Sequence, residues 1–179
     1  SFFGQGAVAH VALADPFCAG LSRLLADVAD SLMPAGRTLH RGGTYLCMEG
    51  PAFSTRAESH LYRSWGCTVI GMTNHTEARL AREAEIAYAT LAMATDYDCW
   101  AADHDSVTVE MVIANLRANA ELATQIVRTT AERVAALRPA SAAHTALRDA
   151  LMTPKEHVPL ATRQRLDLFT APYWGALDA

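Results

Sequence analysis

Short apolar, β-compatible runs alternate with amphipathic helical stretches through the first hundred residues, and helical sequence dominates thereafter. No other feature restricts this chain so tightly. The apolar runs are residues 8–14 (VAHVALA), 44–48 (TYLCM), 67–72 (CTVIGM) and 88–95 (YATLAMAT). Between them, apolar residues at Leu21, Leu24, Leu25, Val28 and Leu32 recur at the three-to-four spacing of a helix buried on one face. Thr55 and Glu58 form a capping box that opens a second helix to about residue 65, with Gly66 as its stop. Thr76 reads as the cap of a third helix through about residue 86, and a long helical region covers 108–137. Helices over 141–152 and 160–169 follow. The pattern predicts an α/β fold with a largely parallel or mixed central β-sheet flanked by helices, in one domain over residues 1–179. The fourth run is apolar throughout, as expected of a strand covered on both faces.

The chain's 179 residues are 51% hydrophobic and 19% charged, enough for one sizeable core. A net charge of −4 leaves no basic surplus for a phosphate backbone, which excludes an ordinary nucleic-acid binder. The basic stretch at 128–138 also carries Glu132 and reads as a solvated helix face. No apolar run approaches the roughly 20 residues of a membrane span. Cys18, Cys47, Cys67 and Cys99 form no C-x-x-C pair and stand at no metal-ligand spacing from a histidine. They read as reduced, mostly buried thiols of a cytoplasmic protein, with no metal expected. The chain opens Ser1-Phe2-Phe3-Gly4, without Met or a helix-start signal, like a chain entered in mid-fold.

In open α/β folds, ligands bind where loops converge beyond the carboxyl ends of strands. Three such ends are chemically loaded here: residues 49–54 (EGPAFS), 72–75 (MTNH) and 95–98 (TDYD). In an extended segment Asp96 and Asp98, at i and i+2, point to the same side. Two neighbouring carboxylates at the mouth of an apolar sheet repel, and burial disfavours charge. One of them is expected to hold its proton toward neutral pH and serve as a general acid. The alternative is a pair of solvated turn residues, with Asp98 capping the next segment. Phe53, after a Gly-Pro turn and before a helix start, suits stacking on a flat heterocycle; equally, it suits a hydrophobic staple packed into the core.

Taken together, residues 49–59 (EGPAFSTRAES), 70–73 (IGMT), 80–84 (LAREA) and 92–100 (AMATDYDCW) resemble 5′-methylthioadenosine phosphorylases of the purine nucleoside phosphorylase superfamily. The resemblance is continuous from Ser1 to about Ala120 and fades through the C-terminal helices. It implies phosphorolysis of 5′-methylthioadenosine to adenine and 5-methylthioribose 1-phosphate, with phosphate as co-substrate and no cofactor. It makes Phe53 and Ile70 part of the purine pocket and Met72 a ribose contact through its amide. Thr73 becomes a phosphate ligand. Asp96 bonds the purine N7 and 6-amino group, with Asp98 beside it and Thr95 in support. Val109, Val112 and Ile113 form the apolar wall around the methylthio group; their i, i+3, i+4 spacing fits one helix face. His10 resembles a histidine that reaches a neighbouring subunit's 5′ pocket, which implies a homotrimer.

The chain departs from the family pattern at Asn74-His75-Thr76, where a proline usually precedes the acidic helix start. His75 is a surface residue or a modifier of the phosphate or 5′ site. The glycine-rich phosphate loop and the Arg-His pair that family members carry toward the N-terminus have no counterpart here. The expectation is therefore a C-terminal portion whose sheet lacks its early strands and which needs an N-terminal polypeptide segment of the same enzyme. Two other functions stay open: a nucleosidase or other purine nucleoside phosphorylase, and a catalytically silent nucleoside-binding or assembly subunit.

Overall fold

The structure is a computed structural model that describes residues 1–101 and 109–177, with backbone alone at 109–112. Its elements in chain order are α1 (Ala19–Leu32), β1 (Tyr45–Cys47), α2 (Arg56–Ser64), β2 (Val69–Gly71), α3 (Asn74–Glu83), α4 (Val109–Leu137) and α5 (Leu160–Trp174). Two 3-10 turns, Ala142–Thr145 and Lys155–His157, lie between α4 and α5. The chain divides into two compact units. The first comprises residues 1–21, 75–89 and 139–179, the second residues 22–74 and 90–138. The division falls within α1 and at the start of α3.

The second unit is built on a parallel β1–β2 pair, with Tyr45 opposite Val69, Leu46 opposite Ile70 and Cys47 opposite Gly71. Parallel neighbours need a crossover, and α2 supplies it. The capping box forms as the sequence predicts: Glu58 N donates to Thr55 Oγ1 at 3.3 Å, and Thr55 N donates to Glu58 Oε2 at 2.7 Å. Those donors hold the exposed Glu58 carboxyl below its ordinary range, the Thr55 backbone bond contributing most. Trp65 caps the far end, and Gly66 takes φ +80° beyond it. Opposite the sheet in sequence, but in the same unit, Val28 and Ala29 of α1 pack with Leu122 and Ile126 of α4. Leu25, Leu32, Met33, Leu39 and Leu91 close around them. Each large aliphatic side chain buried there contributes about 1.5–3 kcal/mol.

The first unit packs Ala7, Val158 and Leu166 beneath Phe2, Phe3, Phe169 and Trp174. Its N-terminal segment is sewn down by polar contacts. Glu83 accepts from Phe2 N at 2.7 Å, and Arg82 donates to the carbonyls of Ala12 and Asp15, both at 2.6 Å. Residues 82 and 83 of the LAREA motif are thus structural anchors.

Three element predictions need correction. Residues 8–14 form no strand: Ala9 makes an isolated antiparallel bridge to Leu151, carried by His10 N to Ala150 O and Met152 N to Val8 O. Residues 88–95 are likewise not a strand among the described residues, and the carbonyls at the two ends of the run bond outside any ladder. Tyr88 O accepts from Cys18 N, while Ala94 O and Thr95 O accept from asparagine side chains. Residues 141–152 wind only as a 3-10 turn followed by further turns. The Leu147 amide, which a helix would bond to residue 143, donates instead to Glu85 Oε1 at 2.8 Å. Ala146 N takes the Ala143 carbonyl.

Smaller shifts follow the same logic. α3 starts at Asn74 rather than after Thr76, and α5 continues past Phe169 to Trp174. None of the four cysteines is in a disulfide; Cys99 is exposed and the other three are half-buried, so the expectation of mostly buried thiols is too strong. No helix among the described residues is long and apolar enough to cross a membrane.

Candidate functional site

The site follows from the parallel pair. Both strands run the same way, so the loops leaving β1 and β2 emerge at the same edge. The loop after β1 carries Phe53; the segment after β2 carries Met72 and Thr73. Gly50 brings the two together. Its φ of +70° favours glycine, and a Cβ there would sit 3.0 Å from Met72 Sδ, close enough that the methionine side chain would have to shift. Ser54 Oγ donates to Met48 Sδ at 3.2 Å, folding the loop back on the strand that launches it.

The third loaded segment, 95–100, joins this edge through α2. Ser59 Oγ donates to Asp98 Oδ2 at 2.5 Å, and Cys99 Sγ reaches Ser54 O at 3.6 Å. The guanidinium of Arg63 lies 3.5 Å from the centroid of the Trp100 ring. From the other side, α4 holds the backbone just before Asp96. Asn119 Nδ2 donates to Ala94 O at 3.0 Å and Asn115 Nδ2 to Thr95 O at 3.2 Å. Arg37 orients the Asn119 amide by donating to its Oδ1 at 2.7 Å. Asn115 and Asn119 are one helical turn apart, so one face of α4 presents both.

Within this frame Phe53 is 85% exposed. It is not a staple in the core; the loop presents the ring outward. Ile70 and Met72 are half-buried on and beside β2. Thr73 is exposed and immediately precedes α3. Thr95 is half-buried, and its hydroxyl donates to Asp96 Oδ2 at 2.8 Å.

Asp96 and Asp98 do not share an extended strand. Asp96 sits at a bend and is exposed, while Asp98 is half-buried and turned to α2. Asp98 also accepts from Cys99 N at 2.8 Å, and its carbonyl accepts from Ala101 N. It therefore does hold the local turn, as the turn reading expected, in addition to its long-range bond.

Ile113 is 43% exposed on α4. Val109 and Val112 belong to the first turn of α4, but their side chains lie outside the described residues, as does the proposed wall they would form. His10, in the first unit, is exposed, its backbone fixed by the bond to Ala150 O. His75 is exposed as well. Its neighbour Asn74 is buried and accepts from Thr90 Oγ1 at 2.7 Å, so the departure at 74 has a packing role.

The Phe53 loop, the Met72–Thr73 segment and the segment that follows Asp96 are thus gathered at one edge of the parallel β1–β2 pair. The sequence profile of the Phosphorylase superfamily matches residues 1–132, which include every one of these segments. The chain belongs to that superfamily.

Among its relatives, an S-methyl-5′-thioadenosine phosphorylase from Prochlorococcus marinus is 65% identical over 99% of this chain and 57% of the relative's length. The solved structure of a methylthioadenosine phosphorylase from an Antarctic soil metagenomic library superposes with a TM-score of 0.88 at 48% identity, over 94% of this chain and 58% of that one. A methylthioadenosine phosphorylase from Schistosoma mansoni in complex with adenine gives 0.66 at 27% identity, over 82% of this chain and 57% of that one. The chain thus spans a little over half the length of these relatives. The likeness covers the C-terminal helices too, where the motifs quoted above fade.

Ser59, Asn115, Asn119 and the Arg63–Trp100 pair were not singled out from the sequence. Ser59 lay inside a quoted motif without a role. The two asparagines carried one weak signal, weak helix formers spaced by four in an otherwise favourable helix.

Proposed function

We propose that this phosphorylase-superfamily chain supplies the purine, ribose and methylthio sites for phosphorolysis of 5′-methylthioadenosine. The products are adenine and 5-methylthioribose 1-phosphate, which makes it a pentosyltransferase of methionine and purine salvage in the cytoplasm. The observation that carries this reading is the meeting of the Phe53 loop, the Met72–Thr73 segment and the Asp96 segment on one edge of the β1–β2 pair. The names of the relatives support the substrate.

In this reading Phe53 stacks on the purine and Ile70 lines the base site. Met72 meets the ribose hydroxyls through its amide. Thr73 and the start of α3 take phosphate. Cleavage of the N-glycosidic bond builds positive charge on the ribose and negative charge on the departing base. Asp96 delivers a proton to N7 and accepts from the 6-amino group, with Thr95 orienting its carboxyl and Asp98 beside it. Val109, Val112 and Ile113 face the methylthio group. His10 completes the 5′ pocket of a neighbouring subunit in a homotrimer. Phosphate is a co-substrate, and the chemistry calls for no cofactor. Thr73 and one helix start are too few donors to orient phosphate for attack. The remaining donors belong to an N-terminal segment of the same enzyme. The superfamily match runs through both compact units, which supports treating the chain as part of one domain.

Adenine release from 5′-methylthioadenosine, followed by chromatography with and without phosphate, tests the proposal in the full-length protein. Release that requires phosphate and yields the sugar phosphate is expected. Release without phosphate would make it a nucleosidase. Calorimetric binding of the nucleoside without any turnover would make it a silent binding subunit.

A further inference from the structure

Ser59 is the most deeply buried polar residue beside the candidate site, with 1% of its surface exposed. A serine inside a helix commonly returns its hydroxyl proton to a carbonyl one turn back. Here the proton goes to Asp98 Oδ2, across 39 residues of chain, at 2.5 Å. The other carboxylate oxygen is met only locally among these bonds, by the amide of the next residue, Cys99. One turn along α2, Arg63 covers Trp100. Residues i and i+4 share a helix face, so α2 grips the 98–100 segment twice with the same side. Burial at Ser59 and the pairing at Arg63 together fix where the Asp98 carboxylate stands.

The position of that carboxylate matters because Asp98 lies two residues from Asp96. Interaction between charged groups depends on their separation and on how well water is excluded. A carboxylate held only by its own neighbour's amide has freedom to swing; one anchored to a buried hydroxyl does not. We propose that Ser59 is a positioning residue, whose hydroxyl fixes the Asp98 carboxylate so that it supports Asp96 during proton delivery to the leaving base. This rests on the phosphorolytic reading above.

The test is a double-mutant cycle in the full-length protein: wild type, Ser59→Ala, Asp98→Asn and the double variant. kcat and KM for adenine release from 5′-methylthioadenosine are measured at saturating phosphate. Ser59→Ala is expected to lower kcat about tenfold or more, with KM changed by less than that. The same substitution in the Asp98→Asn background is expected to have little further effect, because the group it positions is already altered. Equal fold-losses in both backgrounds, or an unchanged kcat in Ser59→Ala, would overturn the proposal, since a merely structural serine costs the same whatever stands at 98. Should Ser59→Ala not fold, Ser59→Cys keeps the volume with a weaker donor. Its smaller loss must again depend on the residue at 98, and a background-independent loss overturns the proposal. A wild type that releases no adenine overturns the phosphorolytic reading itself, and this inference with it. An active wild type with additive losses overturns the inference alone.

Discussion

Asn119 on α4 donates its side-chain amide to the carbonyl of Ala94, two residues before Asp96, while its own amide oxygen is taken by Arg37. Both functions of one buried amide are thereby used, and the backbone that delivers Asp96 is tied to the unit's main helix. Asn119→Ala leaves the Ala94 carbonyl and the Arg37 guanidinium without this partner. The expected cost is about 1–3 kcal/mol, a fall in Tm of several degrees by calorimetry. Asn115→Ala, at an exposed position, is expected to cost less. The reverse order would contradict the clamp.

Phe53 gives the opposite expectation. Its ring is 85% exposed, so Phe53→Ala is expected to change stability by no more than about 0.5 kcal/mol. If the ring stacks on the purine, KM for the nucleoside rises about tenfold. A large loss of stability with KM unchanged would return Phe53 to a packing role.

In the proposed reaction, Asp96→Asn removes the proton donor and leaves an amide at the same place. Adenine phosphorolysis is expected to fall by about 10²–10⁴ in kcat, with relative use of 6-oxopurine nucleosides improved. Steady-state rates on the two substrate classes decide it. An unchanged adenine rate in a folded variant would exclude Asp96 as the acid.

Far along the chain, burial and then the bond to Glu85 push the Tyr173 phenol from an ordinary 10.0 up to about 12. Below pH 10 both folded and unfolded chains carry the neutral phenol, and its stabilising effect is fully present. Between 10 and about 12 the unfolded chain releases the proton while the folded one keeps it, so stability falls through that window. Tyr173→Phe is expected to flatten this part of the denaturation profile measured against pH. An equally steep fall in the variant would place the titration elsewhere.

The sequence was most legible where the interactions are local. The Thr55–Glu58 box, the Gly66 stop and the apolar spacing of α1 are settled within one or two turns of chain, and the structure has them nearly as read. Residues 88–95 misled because an apolar β-compatible run says nothing about its pairing partner. Residues 141–152 misled because a carboxylate from residue 85 captures the amide on which the helix would have continued. Phe53 was ambiguous for a related reason: whether a ring enters a core or leaves it depends on what surrounds the loop.

By itself, then, the sequence determined the succession of strand, helix and strand that became β1, α2 and β2, and the chemical identity of the three loaded segments around Phe53, Thr73 and Asp96. Their resemblance to one family gave those residues roles. Tertiary structure alone decided that Asp96 is exposed at a bend while Asp98 turns inward to Ser59, and that Asn119 secures the carbonyl before them. Helix caps and apolar periods act over a few residues and leave a pattern in the sequence. A hydrogen bond between groups 39 or 25 residues apart leaves none, because only the packed chain brings donor and acceptor together.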